Sequence, residues 1–312
     1  MNLLRNKVDG LIKRVRAAKR IPAMLLNGSN EFAPTWIYIV ETKKWSIHED
    51  GALITSWLND LGVPAKVDVS PYLYRNQLLH FGSANTYVPY RKRLFAKNNK
   101  CLLTYFHGNF GIHPDMDKRL LSVIDDQAHI DRLIVTNSTM ASRFASWGFQ
   151  DSKIVCIPLG LDLNVFLAGD MESRNKTRRQ LHIAEDSVVI GSFQKDGNGW
   201  QEGNLPKLVK GPDLFCDAVE KIAKDAPVHV LLTGPARGYV KRRLEAAGIT
   251  YTHRCFDHPY EIVPFYHALD FYLMSSREEG GPKSVLESLA CGIPIIATNV
   301  GMVPDVLNDK KN

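Results

Sequence analysis

The chain has 312 residues, with 39 Lys and Arg against 33 Asp and Glu, a formal charge of +6 and 45% apolar residues. That length suffices for two domains of about 150 residues with a core each, and the ordinary apolar and charged shares exclude a disordered or fibrous chain. No apolar stretch approaches the roughly 20 residues a helix needs to cross a bilayer, which excludes a helical transmembrane protein.

The charge sits at the start. MNLLRNKVDGLIKRVRAAKR, residues 1–20, holds seven bases and one acid, and the other 292 residues hold 32 of each sign. Leu3, Leu4, Val8, Leu11, Ile12 and Val15 recur at helical spacing. This arm is therefore either a basic amphipathic helix lying on an anionic membrane surface or a solvated N-terminal helix. It lacks the apolar core and cleavage site of a secretory signal. A second basic cluster, YRKRLFAKNNK, either orients the same face or is a solvated loop. The neutral remainder argues against a nucleic-acid groove, so no nucleic acid is expected among the partners.

After the arm, short apolar runs alternate with helical patterns. Strands are expected at AMLLN, WIYIVE, AKVDVS, QLLHFG, CLLTYFH, RLIVTN and KIVCIP, then at VVIGSF, VHVLLTG, ITYTH, DFYLMS and IPIIAT. Such alternation predicts an α/β protein built of βα units on doubly wound parallel sheets. The boundary is placed after PLGLDLNVF, giving a first Rossmann-like domain over 1–167 and a second over 168–312. The two would face each other across a cleft lined by strand carboxyl ends, where open α/β sheets bind ligands. Cys101, Cys156, Cys216, Cys255 and Cys291 fall mostly in apolar strand or helix patterns without CxxC pairing and read as buried thiols in a reducing compartment, so a cytoplasmic location is expected.

Several positions carry candidate chemistry. NGSNEFAP and Gly51, and Glu41, Trp45, His48 and Asp50, are weak candidates near the first helix, where Ser46 and Glu49 suit a capping box. His107 closes an apolar strand; by itself such a histidine is more often structural. Asp115-Met116-Asp117 has the DxD form of a metal-binding carboxylate pair, yet after Pro114 it reads better as the acidic start of a helix. In VVIGSFQKDGNGWQEGNLPKLVKGPDLF, a candidate phosphate-binding element, Gly191 is taken as a ligand-binding glycine, Lys195 follows in a glycine-rich loop and Lys210 stands before a helix; both lysines are either diphosphate ligands or solvated. Gly197, Gly199 and Gly203 lack the immediate helix of a dinucleotide fingerprint. His253, Cys255 and His258 have ligand-like spacing but no second cluster, so no metal site is expected.

The richest stretch is REEGGPKSVLESLACGIPIIA: strand, glycine-rich loop, helix, strand. Pro282 suits the first turn of the helix and Gly292 its end. A helix that opens at a strand's carboxyl end offers N–H groups, here around Ser284 and Val285, and a positive dipole end to an anion. Gly280 and Gly281 permit close approach to the backbone. Glu279 and Glu287 can accept hydrogen bonds from hydroxyls. Phosphate donors beside hydroxyl acceptors point to a sugar nucleotide.

Glu279-x7-Glu287, followed by SLACGIPIIATNVGMVPDVL, closely resembles the signature of the retaining GT-B glycosyltransferases of family 4, and IPLGLDLNVF resembles their P-x-G-V-D-x-x-x-F segment. The resemblance implies a GT-B fold and a metal-independent, retaining glycosyltransferase without cofactor. Its UDP- or GDP-sugar is a substrate, and its acceptor is a glycan or lipid-linked hydroxyl compound. It implies that Glu279 holds sugar hydroxyls, Glu287 the ribose diol, Lys195 and Lys210 the diphosphate, and His107 a place against the transferred sugar. The family's arginine after the glycine is Ser192 here, so its role passes to Lys195, and GGPK replaces the commoner G-F-G-L, leaving Lys283 against a sugar hydroxyl or solvent. Relatives continue beyond the VPDVL helix, so a short C-terminal domain is expected. A GT-B sugar-nucleotide epimerase and a non-catalytic sugar-nucleotide binder are the alternatives. Envelope polysaccharide or glycolipid synthesis, at the inner face of a membrane, is the expected setting. If the arm tethers the protein there, deleting residues 1–20 reduces co-sedimentation with anionic liposomes; equal pelleting rejects the tether.

Overall fold

The computed structural model describes residues 34–42, 46–91, 98–199 and 202–307. The basic arm, the strand expected at AMLLN, Trp45, most of the second basic cluster and the tail lie outside them. The chain forms two compact units, residues 1–157 and 158–312.

Unit 1 runs β1 (Trp36–Ile39), α1 (Ser46–Asp60), β2 (Ala65–Asp68), β3 (Leu78–Phe81), α2 (Ala84–Tyr87), β4 (Lys100–Tyr105), α3 (Pro114–Asp125), β5 (Arg132–Val135), α4 (Ser138–Ser146) and β6 (Ile154–Cys156). Its six strands are parallel in the order β2-β1-β3-β4-β5-β6. Ile37, Ile39, Leu79, Phe81, Leu103, Leu133 and Val135 are wholly or almost wholly buried. Strands covered on both faces have no wet side, which is why they read as continuous apolar runs. Ser46 is the first residue of α1, not the cap before it. Gly51 lies inside α1, where an added Cβ would stand 2.6 Å from the Tyr38 ring, so helix-on-sheet packing accounts for this glycine.

Polar side chains are also sunk in this sheet, among them Asp68, His80 and Thr104. His80 is 4% exposed, its Nε2 lies 2.7 Å from Thr104 Oγ1, and the rings of Trp36 and Tyr38 meet it edge-on. Burial drives its pKa down to about 3.

Unit 2 runs α5 (Met171–Gln180), β7 (Val188–Phe193), α6 (Pro212–Ile222), β8 (Val228–Thr233), α7 (Gly238–Ala246), β9 (Thr250–Arg254), α8 (Val263–His267), β10 (Phe271–Met274), α9 (Lys283–Ala290), β11 (Ile295–Ala297) and α10 (Val303–Val306). Its five parallel strands are ordered β11-β10-β7-β8-β9. Alternate residues feed two cores: Val189 and Leu231 pack with Tyr266, Tyr272 and Met274, whereas Ile190, Val230 and Leu232 pack with Phe215, Val219 and Leu244. The period of two in the strands thus clothes both faces of one sheet. Leu161, Val165 and Phe166 belong to the first of these cores. Their packing explains why unit 2 begins at Pro158, ahead of the boundary expected at 167/168: PLGLDLNVF, after Ile157, opens the second unit instead of closing the first.

His80 makes unit 1 sensitive to acid. Its folded pKa is depressed, so below about 6.5 the unfolded chain binds a proton that the folded chain refuses, and stability falls as pH drops toward the folded value. This single group is expected to remove about 2 kcal/mol of unfolding free energy at pH 5. Urea titrations between pH 7 and 5 check it: His80→Gln should lose that part of the pH dependence.

Candidate functional site

In unit 2 the chain moves outward from β7 to β8 and β9, then returns to lay β10 on the other side of β7. The crevice outside the carboxyl ends of β7 and β10 is therefore the topological switch point, where open sheets take their ligands. Gln194 and Lys195 follow β7, and Ser275 and Ser276 follow β10.

A third segment, residues 208–211, is drawn into the crevice. Gly211 has φ +61°, and an added Cβ would lie 1.9 Å from Ser275 O, so only glycine fits. Ser275 Oγ donates to Gly211 O at 2.7 Å, and Arg277 N donates to Val209 O at 2.8 Å. This approach delivers Lys210 to Glu279: Nζ stands 2.5 Å from Oε1, an oxygen that also accepts from Ser276 Oγ at 2.8 Å. Gln194 Nε2 donates to Lys210 O at 3.1 Å. Glu279 is 7% exposed, and burying a charge so deeply is costly unless a countercharge and hydrogen bonds go with it, as Lys210 and Ser276 do here.

The glycine-rich loop is backed by the GMVPD turn. Met302 N donates to Gly280 O at 2.8 Å; Gly301, at φ +58°, leaves no room for a Cβ, which would meet Gly280 O at 2.4 Å. Gly281 lies against Leu159, within the segment that opens the unit. Helix α9 starts at Lys283, so Pro282 stands at the cap and not in the first turn. No side-chain cap bond is made at this end, Val285 N donates to Pro282 O at 2.9 Å, and Lys283 and Ser284 stand at the positive end of the helix dipole. Gly292, at φ +72°, follows the C-cap as expected.

Tyrosines from the core support the acidic side of the helix. Tyr266, from α8, donates its hydroxyl to Glu287 Oε2 at 2.6 Å; burial first and then the Glu287 charge push its pKa well above the ordinary phenol value. The Ser284 hydroxyl bonds that of Tyr272, whose pKa burial pushes up to about 12.

The structure brings Glu279 and Lys210 into contact and sets Lys195 and the start of α9 at the same crevice. Gly191 is elsewhere: it sits inside β7, paired with Leu231 and Tyr272, and an added Cβ would strike Leu269 at 2.4 Å. Its smallness serves packing. A residue the sequence reading passed over is Lys207. Desolvation lowers the pKa of its ammonium, followed by the charges of Lys210 and Lys195, with Glu279 opposing, so three lysines share one field. The signal was present as the paired lysines of PKLVKG, three positions apart.

His107 belongs to unit 1. It is exposed, two residues past the end of β4, and lines a cavity of about 160 Å³ with Ser83, Asn85, Tyr105, Met116 and Arg119. Asp115 and Asp117 occupy the first turn of α3, where Asp117 Oδ1 accepts from Gly111 N at 3.0 Å. His253 Nε2 pairs with Gly234 O at 2.8 Å, while His258 caps the turn at Tyr260. Among the described residues no three His, Cys, Asp or Glu side chains gather as a metal-binding group, and no helix is long and apolar enough to cross a membrane.

Residues 202–312 match the family model described as glycosyl transferases group 1. D-inositol 3-phosphate glycosyltransferase of Geodermatophilus obscurus is 28% identical over 214 residues, which cover 64% of this chain and 45% of that protein. The protein of the same name from Corynebacterium urealyticum is 28% identical over 204 residues, covering 61% and 46%. The chain spans about half the length of the curated relatives it matches. Among solved structures it is similar to Anabaena Alr3699/HepE in complex with UDP-glucose, with a TM-score of 0.66 at 17% identity over 88% of this chain and 83% of that one. It is also similar to sucrose-phosphate synthase from Thermosynechococcus elongatus, with a TM-score of 0.58 at 18% identity over 85% and 63%. The two parallel-sheet units have the GT-B fold.

The crevice depends on the close approach at Gly211. Gly211→Ala is expected to lower unfolding stability by about 2 kcal/mol or more in urea, because a Cβ at positive φ would collide with Ser275 O. An unchanged midpoint would show that the approach is not obligatory.

Proposed function

We propose that this chain, whose residues 202–312 match the model of the glycosyl transferases group 1, is a glycosyltransferase that moves a sugar from a nucleotide sugar to an acceptor hydroxyl. The observation that carries the reading is the Lys210–Glu279 pair at the switch point of unit 2, within that family region. A carboxylate beside an ammonium, next to an uncapped helix start, suits a ligand that offers hydroxyls on one side and phosphates on the other. HepE, the structural neighbour, is described with UDP and with UDP-glucose, so UDP-sugars are the first donors we assign.

On this reading the reaction is retaining and needs no metal. The bond from the anomeric carbon to the diphosphate oxygen breaks. The departing oxygen takes the proton of the acceptor hydroxyl, and the acceptor oxygen bonds to carbon on the face the diphosphate left. Lys210 and Lys195 stabilise the charge that grows on the diphosphate; this electrostatic term is the largest the site supplies. Glu279 orients the sugar through its hydroxyls and Glu287 the ribose, each acting by position and not as a nucleophile. From unit 1, His107 is assigned to the transferred sugar. The acceptor is assigned as a glycan or lipid-linked hydroxyl compound of the cell envelope, with the basic arm as a tether to an anionic membrane. The relatives named for D-inositol 3-phosphate make a polyol phosphate the first acceptor to try.

Donor assays test this directly. A transferase releases nucleoside diphosphate slowly with water and faster with acceptor, and does so in EDTA. Lys210→Ala and Glu279→Gln should each lower kcat/KM by about 100-fold with the fold intact by circular dichroism. Unchanged rates would remove the site assignment. Isomerised sugar without transfer would favour an epimerase, and binding without turnover a silent binder.

A further inference from the structure

A wholly buried ion pair lies behind the lysines. Asp196 and Arg237 are both 0% exposed, and Arg237 Nε stands 3.1 Å from Asp196 Oδ1. Neither Asp196 oxygen nor that nitrogen has an aligned hydrogen-bond partner in protein. The other guanidinium nitrogens are spent on the end of β7 and the turn after β8. They donate to Ser192 O and Gln194 O at 2.7 Å, to Thr233 O at 2.9 Å and to Ser192 Oγ at 2.9 Å. Taking such a pair out of water costs about as much as the pairing returns, so stability alone does not account for it. Burial is the largest influence on Asp196 and raises its pKa, with Arg237 opposing.

What the pair does fix is geometry. Asp196 O accepts from Lys207 N at 2.7 Å, Asn198 N donates to Leu205 O at 3.1 Å, and Gly197 bridges Pro206. The excursion from 196 to 207 is thus closed at its base, with Gly197 pressed so near Ala236 that a Cβ would lie 2.2 Å from its carbonyl oxygen. Lys210 N then donates to Lys207 O at 2.7 Å, and Lys210 Nζ meets Glu279. The linkage from Arg237 through Asp196, Lys207 and Lys210 to Glu279 has no missing step, and Lys195 is the residue covalently ahead of Asp196. Arg237, fully enclosed, reaches no ligand itself.

We propose that Lys207 is a third cation for the donor's diphosphate, and that Asp196, anchored on Arg237, is the positioning residue that holds Lys207 and Lys195 at the crevice; this rests on the nucleotide-sugar reading above. Lys207 is tied by its N–H to Asp196 O and by its carbonyl to Lys210 N, so it leaves the same short segment as Lys210, and the charges of Lys210 and Lys195 lower the pKa of its ammonium with Glu279 opposing, a mark of mutual repulsion. A diphosphate relieves it by charge-assisted hydrogen bonds. The excursion between Lys195 and Lys210 thereby gains a purpose: it carries a lysine of its own.

The experiment is calorimetric titration of UDP and UMP into the full chain, using wild type, Lys207→Gln, Asp196→Asn, and a Lys195→Gln/Lys207→Gln background with and without Asp196→Asn. Lys207→Gln should cut the preference for UDP over UMP by about tenfold, or about 1.4 kcal/mol. Asp196→Asn should weaken UDP similarly in the wild type and add nothing once both lysines are gone; a merely structural role would carry its full effect into that background. The proposal is overturned by an unchanged UDP preference in Lys207→Gln, or by an Asp196→Asn effect that persists in full without the lysines. Should Asp196→Asn fail to fold, Lys207→Gln decides alone. A wild type that binds none of UDP, GDP and ADP overturns the functional reading itself, a failure visible before any variant is compared.

Discussion

The contact on which the candidate site depends is between two backbones. At Gly211 the chain comes so close to Ser275 that no side chain fits, and Lys210, one residue earlier, is carried onto Glu279. Close-packed interiors tolerate no slack, so a requirement of this kind is met by glycine or the segment moves away. Gly301 repeats the device on the other side, where it lets the GMVPD turn support the carbonyl groups of Glu279 and Gly280. The loop that carries the candidate carboxylate is therefore held from both sides by approaches only glycine allows.

Charge is organised around that loop. Lys195, Lys207 and Lys210 belong to one segment, and Glu279 to another, and they come together where the strand order reverses. On the proposed function, fixed charges so placed stabilise a departing diphosphate without reorganising. The helix start at Lys283 adds oriented backbone N–H groups, and Tyr266 holds one oxygen of Glu287. Each participant is anchored by the core: the tyrosines by burial, the lysines by hydrogen bonds that lead back to Asp196 and Arg237.

Much of this was legible in the residues. The runs from WIYIVE to IPIIAT mark all eleven strands of the described residues; the inner ones are mostly apolar because both their faces are covered, while the edge strands β2 and β9 are more polar and partly exposed. The GGPK loop and the helix after it were legible as well, since Gly292 and the pattern Val285, Leu286, Leu289 obey local rules. The unit boundary was misplaced because Leu161, Val165 and Phe166 look the same in sequence whichever core they enter. Gly51 and Gly191 likewise resembled ligand-approach glycines, and the structure shows them making room for Tyr38 and Leu269.

The sequence by itself determined the fold class, the strand-loop-helix-strand unit and the chemical character of its loop, since these follow from periodicity and backbone preference over a few neighbouring residues. Only the tertiary structure decided which distant groups meet. Lys210 and Glu279 are 69 positions apart, Asp196 and Arg237 are joined in the interior, and Lys207 is drawn into the same field as Lys195 and Lys210. The reason is physical: local propensity acts through bonds and turns, whereas pairing across the crevice is set by strand order and by the places where missing side chains let backbones touch.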